Sequence, residues 1–251
     1  MGVSRSLAIV LFLALALGVE APPVRAALIG TQQEIQIGRD AAQELEDRYG
    51  LVRDPAQARR LTGIGRRLAS VSSRRDLPWR FRILAVREVN AISLPGGFIY
   101  VTRGMLDFVA SDDELAFVLA HEVAHVDQRH HVQLLEQHFF FAIVISLLFG
   151  GDATAAQVAD FVGFLLNRGF SRGLEFEADR VGVVLTHRGR FRADAGLRFM
   201  QRLRVAEGRD PSQFEVLFRT HPGLPDRITR VAEELRRLGY QVWKRPEALI
   251  A

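Results

Sequence analysis

The segment from Asp112 to His131, DDELAFVLAHEVAHVDQRHH, constrains the fold more than any other part of the chain. Leu119, Ala120, Val123, Ala124 and Val126 cover nearly every side of the helix it predicts, so that helix belongs inside a core. Ser111, with Glu114 three residues on, predicts its start as a capping box. The same helix carries His121, Glu122 and His125, and four of the seven histidines (His121, His125, His130 and His131) fall within eleven positions. Buried imidazoles and a buried carboxylate are costly without partners. A fold that accepts this helix must therefore bring polar partners to it.

His121 and His125 are four apart, so their imidazoles project from one helix face about a turn apart and can grip one ion. Zinc suits a neutral nitrogen pair, and a hydrolytic site would add a third protein ligand and keep one position for water. Glu122, one residue round from His121, can reach that water as a general base. The four-residue pattern also occurs on ordinary helices, and a solvated or buried histidine pair is the competing account; the apolar surroundings favour the metal. His130 lies half a turn off the ligand face, and both His130 and His131 are read as end-of-helix residues suited to the negative end of the dipole, not as ligands. For the third ligand the best candidate segment is EFEAD, residues 175–179. There Glu175 and Asp179 share a helical face, and an aspartate can fix a ligand's tautomer. Glu177 is expected to point off that face. On spacing alone, an acidic first turn stabilising the helix dipole is an equal account of this segment.

Around these motifs, Thr31 to Tyr49 and Pro55 to about Ser73 read as amphipathic helices, the second capped by Asp54 with Pro55 at its first position. WRFRILAV alternates like a strand, and a Pro-Gly-Gly break separates NAISL from a second β-rich run, Phe98 to Thr102, predicting a small hairpin or meander. The apolar run Phe139 to Phe149 and the stretch AAQVADFVGFLLNRG are each too short to span a bilayer. Residues 139–168 are read as a helical excursion packed inside the protein, with a peripheral membrane contact left open. A helix capped by Ser171 and three more helical stretches complete the chain, the last from about Pro225 to Gly239.

At 251 residues, 48% hydrophobic and 25% charged, the chain has the composition of one globular domain. Arg5, the apolar run Leu7 to Gly18 and the small residues near Ala26 follow the order of a secretory signal peptide. The expected division is a leader at 1–26 and one domain at 27–251. The net charge of +4 without a basic stripe argues against nucleic acid as a partner. The absence of cysteine excludes disulfides, thiol catalysis, cysteine metal ligation and a lipid-anchoring cysteine.

Four ordered segments, NAISLPGGFIYVTRGML, DELAFVLAHEVAHVDQRH, SRGLEFEADRVG and THPGLPDRI, resemble the HtpX, Oma-type and CAAX prenyl endopeptidase family of zinc metallopeptidases, in particular its bacterial periplasmic branch. The resemblance covers nearly all of the chain beyond the leader. It implies an α+β, mainly helical domain of gluzincin type (HExxH...ExxxD) whose small sheet carries a substrate-binding edge strand. By it, His121, His125 and Glu175 hold one zinc ion per chain, Glu122 is the catalytic base, and Asp179 supports a ligand. His221, in THP, either stabilises the oxyanion or covers the metal as a latch, and Arg227 lies near the site. Asn90, Pro95, Gly96 and Gly97 belong to the strand and turn that receive an extended peptide by strand addition. Ile92 and Ser93 stand where that family usually has Phe and Ala. The implied activity is cleavage of unfolded or misfolded envelope proteins in the periplasm. A chaperone-like binder with a structural or latched zinc, and a zinc hydrolase of non-peptide substrates, are the alternatives.

Overall fold

The computed structural model describes residues 29–138 and 155–242. The leader expected at 1–26 and the apolar run of residues 139–149 lie outside the described residues.

Two helices open the described chain, α1 (Thr31–Tyr49) and α2 (Pro55–Ala69). As expected from Asp54 and Pro55, the Asp54 side chain accepts from the main-chain N–H groups of Ala56 and Gln57. Strands β1 (Arg80–Leu84), β2 (Ala91–Leu94) and β3 (Phe98–Thr102) form a sheet in the order β1-β3-β2. β2 and β3 are an antiparallel hairpin turned by Pro95–Gly97, but β1 runs parallel to β3, so the sheet is mixed and not a meander. The reason lies in the side chains. Every residue of β3 is buried, which suits a central strand covered on both faces, whereas β1 alternates exposed Arg80 and Arg82 with buried Phe81 and Ile83.

Period-two alternation divides the core between the two faces of the sheet. Phe81, Ile83, Ala91, Ile99 and Val101 join one apolar cluster, while Leu84, Leu94, Phe98 and Tyr100 join the other. The first face packs on α2 and on the long helix α4 (Asp112–Asp127), which follows the short α3 (Arg103–Phe108). The second packs on α1, on α5 (His130–His138) and on α6 (Ala155–Arg168). Phe161, Val162 and Leu165 of α6 are buried there, whereas Asp160, Asn167 and Arg168 are exposed, so one face of α6 packs against the protein. No helix among the described residues is long and apolar enough to cross a membrane. α7 (Arg172–Arg188), α8 (Asp194–Glu207), α9 (Pro211–Thr220) and α10 (Leu224–Arg237) complete the helical shell.

The central helix α4 is buried from Glu114 to Asp127. Ser111 Oγ accepts from Glu114 N at 3.2 Å as the capping box requires, but the returning Glu114 carboxylate takes Ala110 N at 2.8 Å instead of the cap's own N–H. Its principal partner is α7, whose Gly182 lies against the backbone of His121. A Cβ at Gly182 would sit 3.2 Å from His121 N, so a larger residue would push the two helices apart. Buried Glu34 of α1 ties the Pro-Gly-Gly turn to the end of α4. It pairs with both terminal nitrogens of Arg74 at 2.7 and 2.8 Å, with Arg129 Nε at 3.2 Å and with Gly96 N at 3.3 Å.

Candidate metal centre

α4 supplies His121, Glu122 and His125, α7 supplies Glu175 and Asp179, and the chain leaving α9 supplies His221. One ligand atom from each of His121, His125, Glu175 and His221 lies within 4.8 Å of the others, and all four residues are buried. His121 Nε2 and His125 Nε2 are 3.1 Å apart, and each lies 3.4 Å from an oxygen of Glu175. His221 Nδ1 lies 3.2 Å from both Glu175 oxygens. Three imidazoles and one carboxylate converging in a buried site form a donor set for a divalent metal.

The supporting contacts fix which nitrogen of each ring faces inward. Asp179 Oδ1 lies 3.0 Å from His121 Nδ1, holding a proton on that nitrogen and leaving Nε2 for the centre. Arg227 donates to the two Asp179 oxygens at 2.7 and 2.8 Å, lies 2.7 Å from Glu175 Oε2 and donates to the His221 carbonyl at 3.2 Å. One buried guanidinium therefore braces three of the residues around the centre. Glu122 turns Oε1 toward His221 Nε2, at 3.8 Å, and Oε2 toward Ser93 Oγ, at 2.6 Å.

The electrostatics are those of a site that demands a cation. Burial by itself would raise both carboxyls, yet Arg227 beside them holds Glu175 and Asp179 below the usual carboxylate range. Burial holds His125 well below its ordinary value. Burial acts on His121 too, but the charge of Glu175 and the bond to Asp179 outweigh it and push that imidazole up to about 9. Two ionised carboxylates thus draw positive charge to the middle of the cluster, which a proton on His121 or a divalent ion satisfies.

His130 and His131 are not ligands, as expected, but they do not lie at the end of α4 where the negative end of its dipole would suit them. The helix ends at Asp127, Arg129 adopts a left-handed φ of 58°, and the two histidines begin α5, both buried. Neither joins the ligand cluster. His130 Nδ1 sits 2.9 Å from His125 Nδ1, behind that ring, and its Nε2 approaches Glu177 at 3.4 Å, longer than a normal hydrogen bond. Glu177 is thus off the ligand face, as its position predicts, but it reaches the cluster's rear. His131 Nε2 donates to the Ser93 carbonyl at 2.8 Å. Phe170 stacks on His125 with centroids 3.8 Å apart. Helical periodicity carried through Arg129 hides the roles of His130 and His131, and the preference of arginine for right-handed backbone gives no warning of that break.

Asn90 is buried beside the edge strand β2, with its carbonyl accepting from Thr102 N at 3.0 Å. That bond sets the ladder phase, so Ala91 and Ser93 direct their main-chain groups away from β3, toward the sheet edge. Pro95, Gly96 and Gly97 are buried against α1. At Gly96, with φ of 74°, a Cβ would lie 2.6 Å from Ile35 Cα, so both conformation and space require glycine. Beside His121 and Glu122 opens an apolar pocket of about 40 Å³, lined in part by Ala91, Phe117, Met200, Leu203 and Leu217.

A family profile described as Peptidase family M48 matches residues 55–235. The chain is 32% identical over 209 residues to the mitochondrial metalloendopeptidase OMA1 of Schizosaccharomyces pombe, covering 80% of this chain and 61% of that one. It is 28% identical over 211 residues to the beta-barrel assembly-enhancing protease of Yersinia pestis, covering 80% and 43% of the two chains. With the beta-barrel assembly-enhancing protease of Escherichia coli K12 the identity is 27% over 216 residues, covering 82% and 44%. The chain therefore spans roughly half the length of these relatives.

Proposed function

Because the chain belongs to peptidase family M48, we propose that it is a zinc-dependent endopeptidase acting on unfolded or misfolded proteins of the bacterial envelope. The observation that carries this reading is the buried convergence of His121, His125, Glu175 and His221 with Glu122 beside them. A purely structural metal has no need of that fifth group. His121, His125 and Glu175 hold one zinc ion, Asp179 and Arg227 brace the ligands, and Glu122 is the base. Zinc, when bound, supplies a Lewis acid that polarises the scissile carbonyl and makes water acidic near neutral pH. Glu122 takes the proton from the attacking water and returns it to the leaving amine.

The outer edge of β2, which pairs with no further strand among the described residues, supports a protein substrate bound by strand addition. Asn90 and the Pro95–Gly97 turn, pinned under α1, hold that strand at the sheet edge; the Ala91 N–H bonds Asn90 Oδ1 and the Ser93 carbonyl bonds His131, which leaves the Ala91 carbonyl and the Ser93 N–H for an extended peptide. Folded chains cannot present such a segment, which selects for unfolded ones. The pocket lined by Ala91 and Leu217 suits a small apolar side chain of the peptide. The beta-barrel assembly-enhancing proteases among the relatives support an envelope setting, and a leader at 1–26 would deliver a domain spanning 27–251 to the periplasm. The test is cleavage of a reduced, carboxymethylated model protein by zinc-loaded chain, lost with a chelator and restored by zinc. Cleavage indifferent to the chelator, or none by either zinc-loaded wild type or zinc-loaded His221→Ala, would refute the reading.

His221 supplies a fourth donor, and four protein ligands close a zinc site against water. We read it as a latch, seated on Glu175 and released by the chain around Gly223, whose φ of 86° places it in the left-handed region. His221→Ala is expected to raise cleavage several-fold, by about 3- to 10-fold on a gain of roughly 1 kcal/mol. A fall in kcat would instead make His221 a stabiliser of the oxyanion.

His130 should matter without touching the ion. For His125 to present Nε2 to zinc, its Nδ1 must carry the proton and donate to His130 Nδ1. His130→Ala is expected to weaken zinc affinity by about 10- to 100-fold, read by competition with a coloured chelator. Unchanged affinity would show that the contact does not orient the ligand.

A further inference from the structure

We propose that Ser93 is a positioning residue for Glu122, linking peptide docking on β2 to the orientation of the base. The inference rests on the peptidase reading and gives the Ser93 side chain a role which that reading does not assign. Alternation along β2 turns the Ser93 side chain toward α4, in line with Ala91, while its main-chain groups lie on the side of β2 away from β3. The hydroxyl, 3% exposed as a residue, meets Glu122 Oε2 at 2.6 Å. A carboxylate can only accept in that contact, so Ser93 donates, and this charge-assisted bond fixes one oxygen of Glu122 and commits the other, Oε1, to the side of His221.

Ser93 is itself held in place. Its carbonyl, on the strand's outer side, accepts from His131 Nε2 at 2.8 Å. The serine thus spans three elements: β2 through its backbone, α5 through His131 and α4 through Glu122. A peptide pairing with β2 touches the same residue whose hydroxyl sets the base, so a shift of the strand is transmitted to Glu122 through one side chain.

Ser93→Ala removes the donor and little volume, and the chain should fold and bind zinc as before. With a reduced, carboxymethylated model protein as substrate, kcat is expected to fall by about tenfold, with KM within about twofold, because the lost bond acts on the base and not on docking. Crystals of zinc-loaded wild type and Ser93→Ala should show the Glu122 carboxylate turned from its wild-type orientation in the variant. An unchanged kcat, a rise in KM alone, or a fall in kcat that only tracks lost zinc would overturn the proposal. Superimposable Glu122 carboxylates in the two crystals would do so whatever the kinetics. If neither wild type nor His221→Ala cleaves an unfolded protein the peptidase reading fails, and the pair of crystal structures still decides whether Ser93 sets Glu122.

Discussion

Zinc-loaded Glu122→Gln is expected to cleave an unfolded model protein about 10²- to 10⁴-fold more slowly than wild type, the contribution of a general base. The substitution is close to isosteric, and the amide oxygen can still accept from Ser93 Oγ, which lies 2.6 Å from Glu122 in the native chain. What the amide cannot do is take a proton from water. Because Glu122 is not among the four clustered ligands, zinc content should stay at one per chain. Equal zinc with lost cleavage assigns the base to Glu122, whereas cleavage within about threefold of wild type would require another proton acceptor. If neither protein cuts and both retain unfolded chains, the site serves a holder of unfolded protein with a closed metal.

Arg227→Leu is expected to destabilise the metal-free chain by about 3–5 kcal/mol, the cost of leaving a buried charge without its partner. Arg227 is 6% exposed and pairs with Asp179 at 2.7 Å and with Glu175 at 2.7 Å, so its loss leaves two buried carboxylates with only imidazoles as partners. For a domain of this size that corresponds to a fall in Tm on the order of 10 °C. Zinc should recover part of the loss, since a divalent ion neutralises Glu175. Thermal unfolding with and without zinc measures both. A metal-free shift smaller than about 2 °C would show that the guanidinium is not what stabilises the carboxylates. Should Arg227→Leu fail to fold, Arg227→Lys keeps the charge but not the fork that grips both Asp179 oxygens, and an intermediate loss is expected.

Much of this centre is legible in the chain because helical geometry is local. Residues four apart share a face, so the histidine pair on α4 and the acidic pair on α7 can be read from spacing, and the caps Asp54, Ser111 and Ser171 from their side chains. Spacing cannot say that the two faces meet, and it leaves an acidic first turn as good an account of Glu175 as a ligand. His221 and Arg227 belong to no local pattern, and only their resemblance to a family places them near the metal. The sheet shows the same division. The alternation of β1 and the Pro-Gly-Gly turn are written in sequence, but the central place of β3 depends on which helices cover its two faces.

Ser93, His130 and His131 mark the limit most clearly. Serine in a strand carries no signal of a partner, and its bond to Glu122 spans 29 positions. Neither histidine is a ligand, but the reading of both as residues at the end of α4 took that helix to continue; the left-handed Arg129 turns the chain back so that one ring lies behind His125 and the other reaches β2. The sequence by itself determined that a core helix would carry two imidazoles and a carboxylate needing partners, since burial and period act within one segment. Which distant groups answer that need was decided by tertiary packing alone, because the energy of a buried charge depends on what lies within a few ångströms in space and not on separation along the chain.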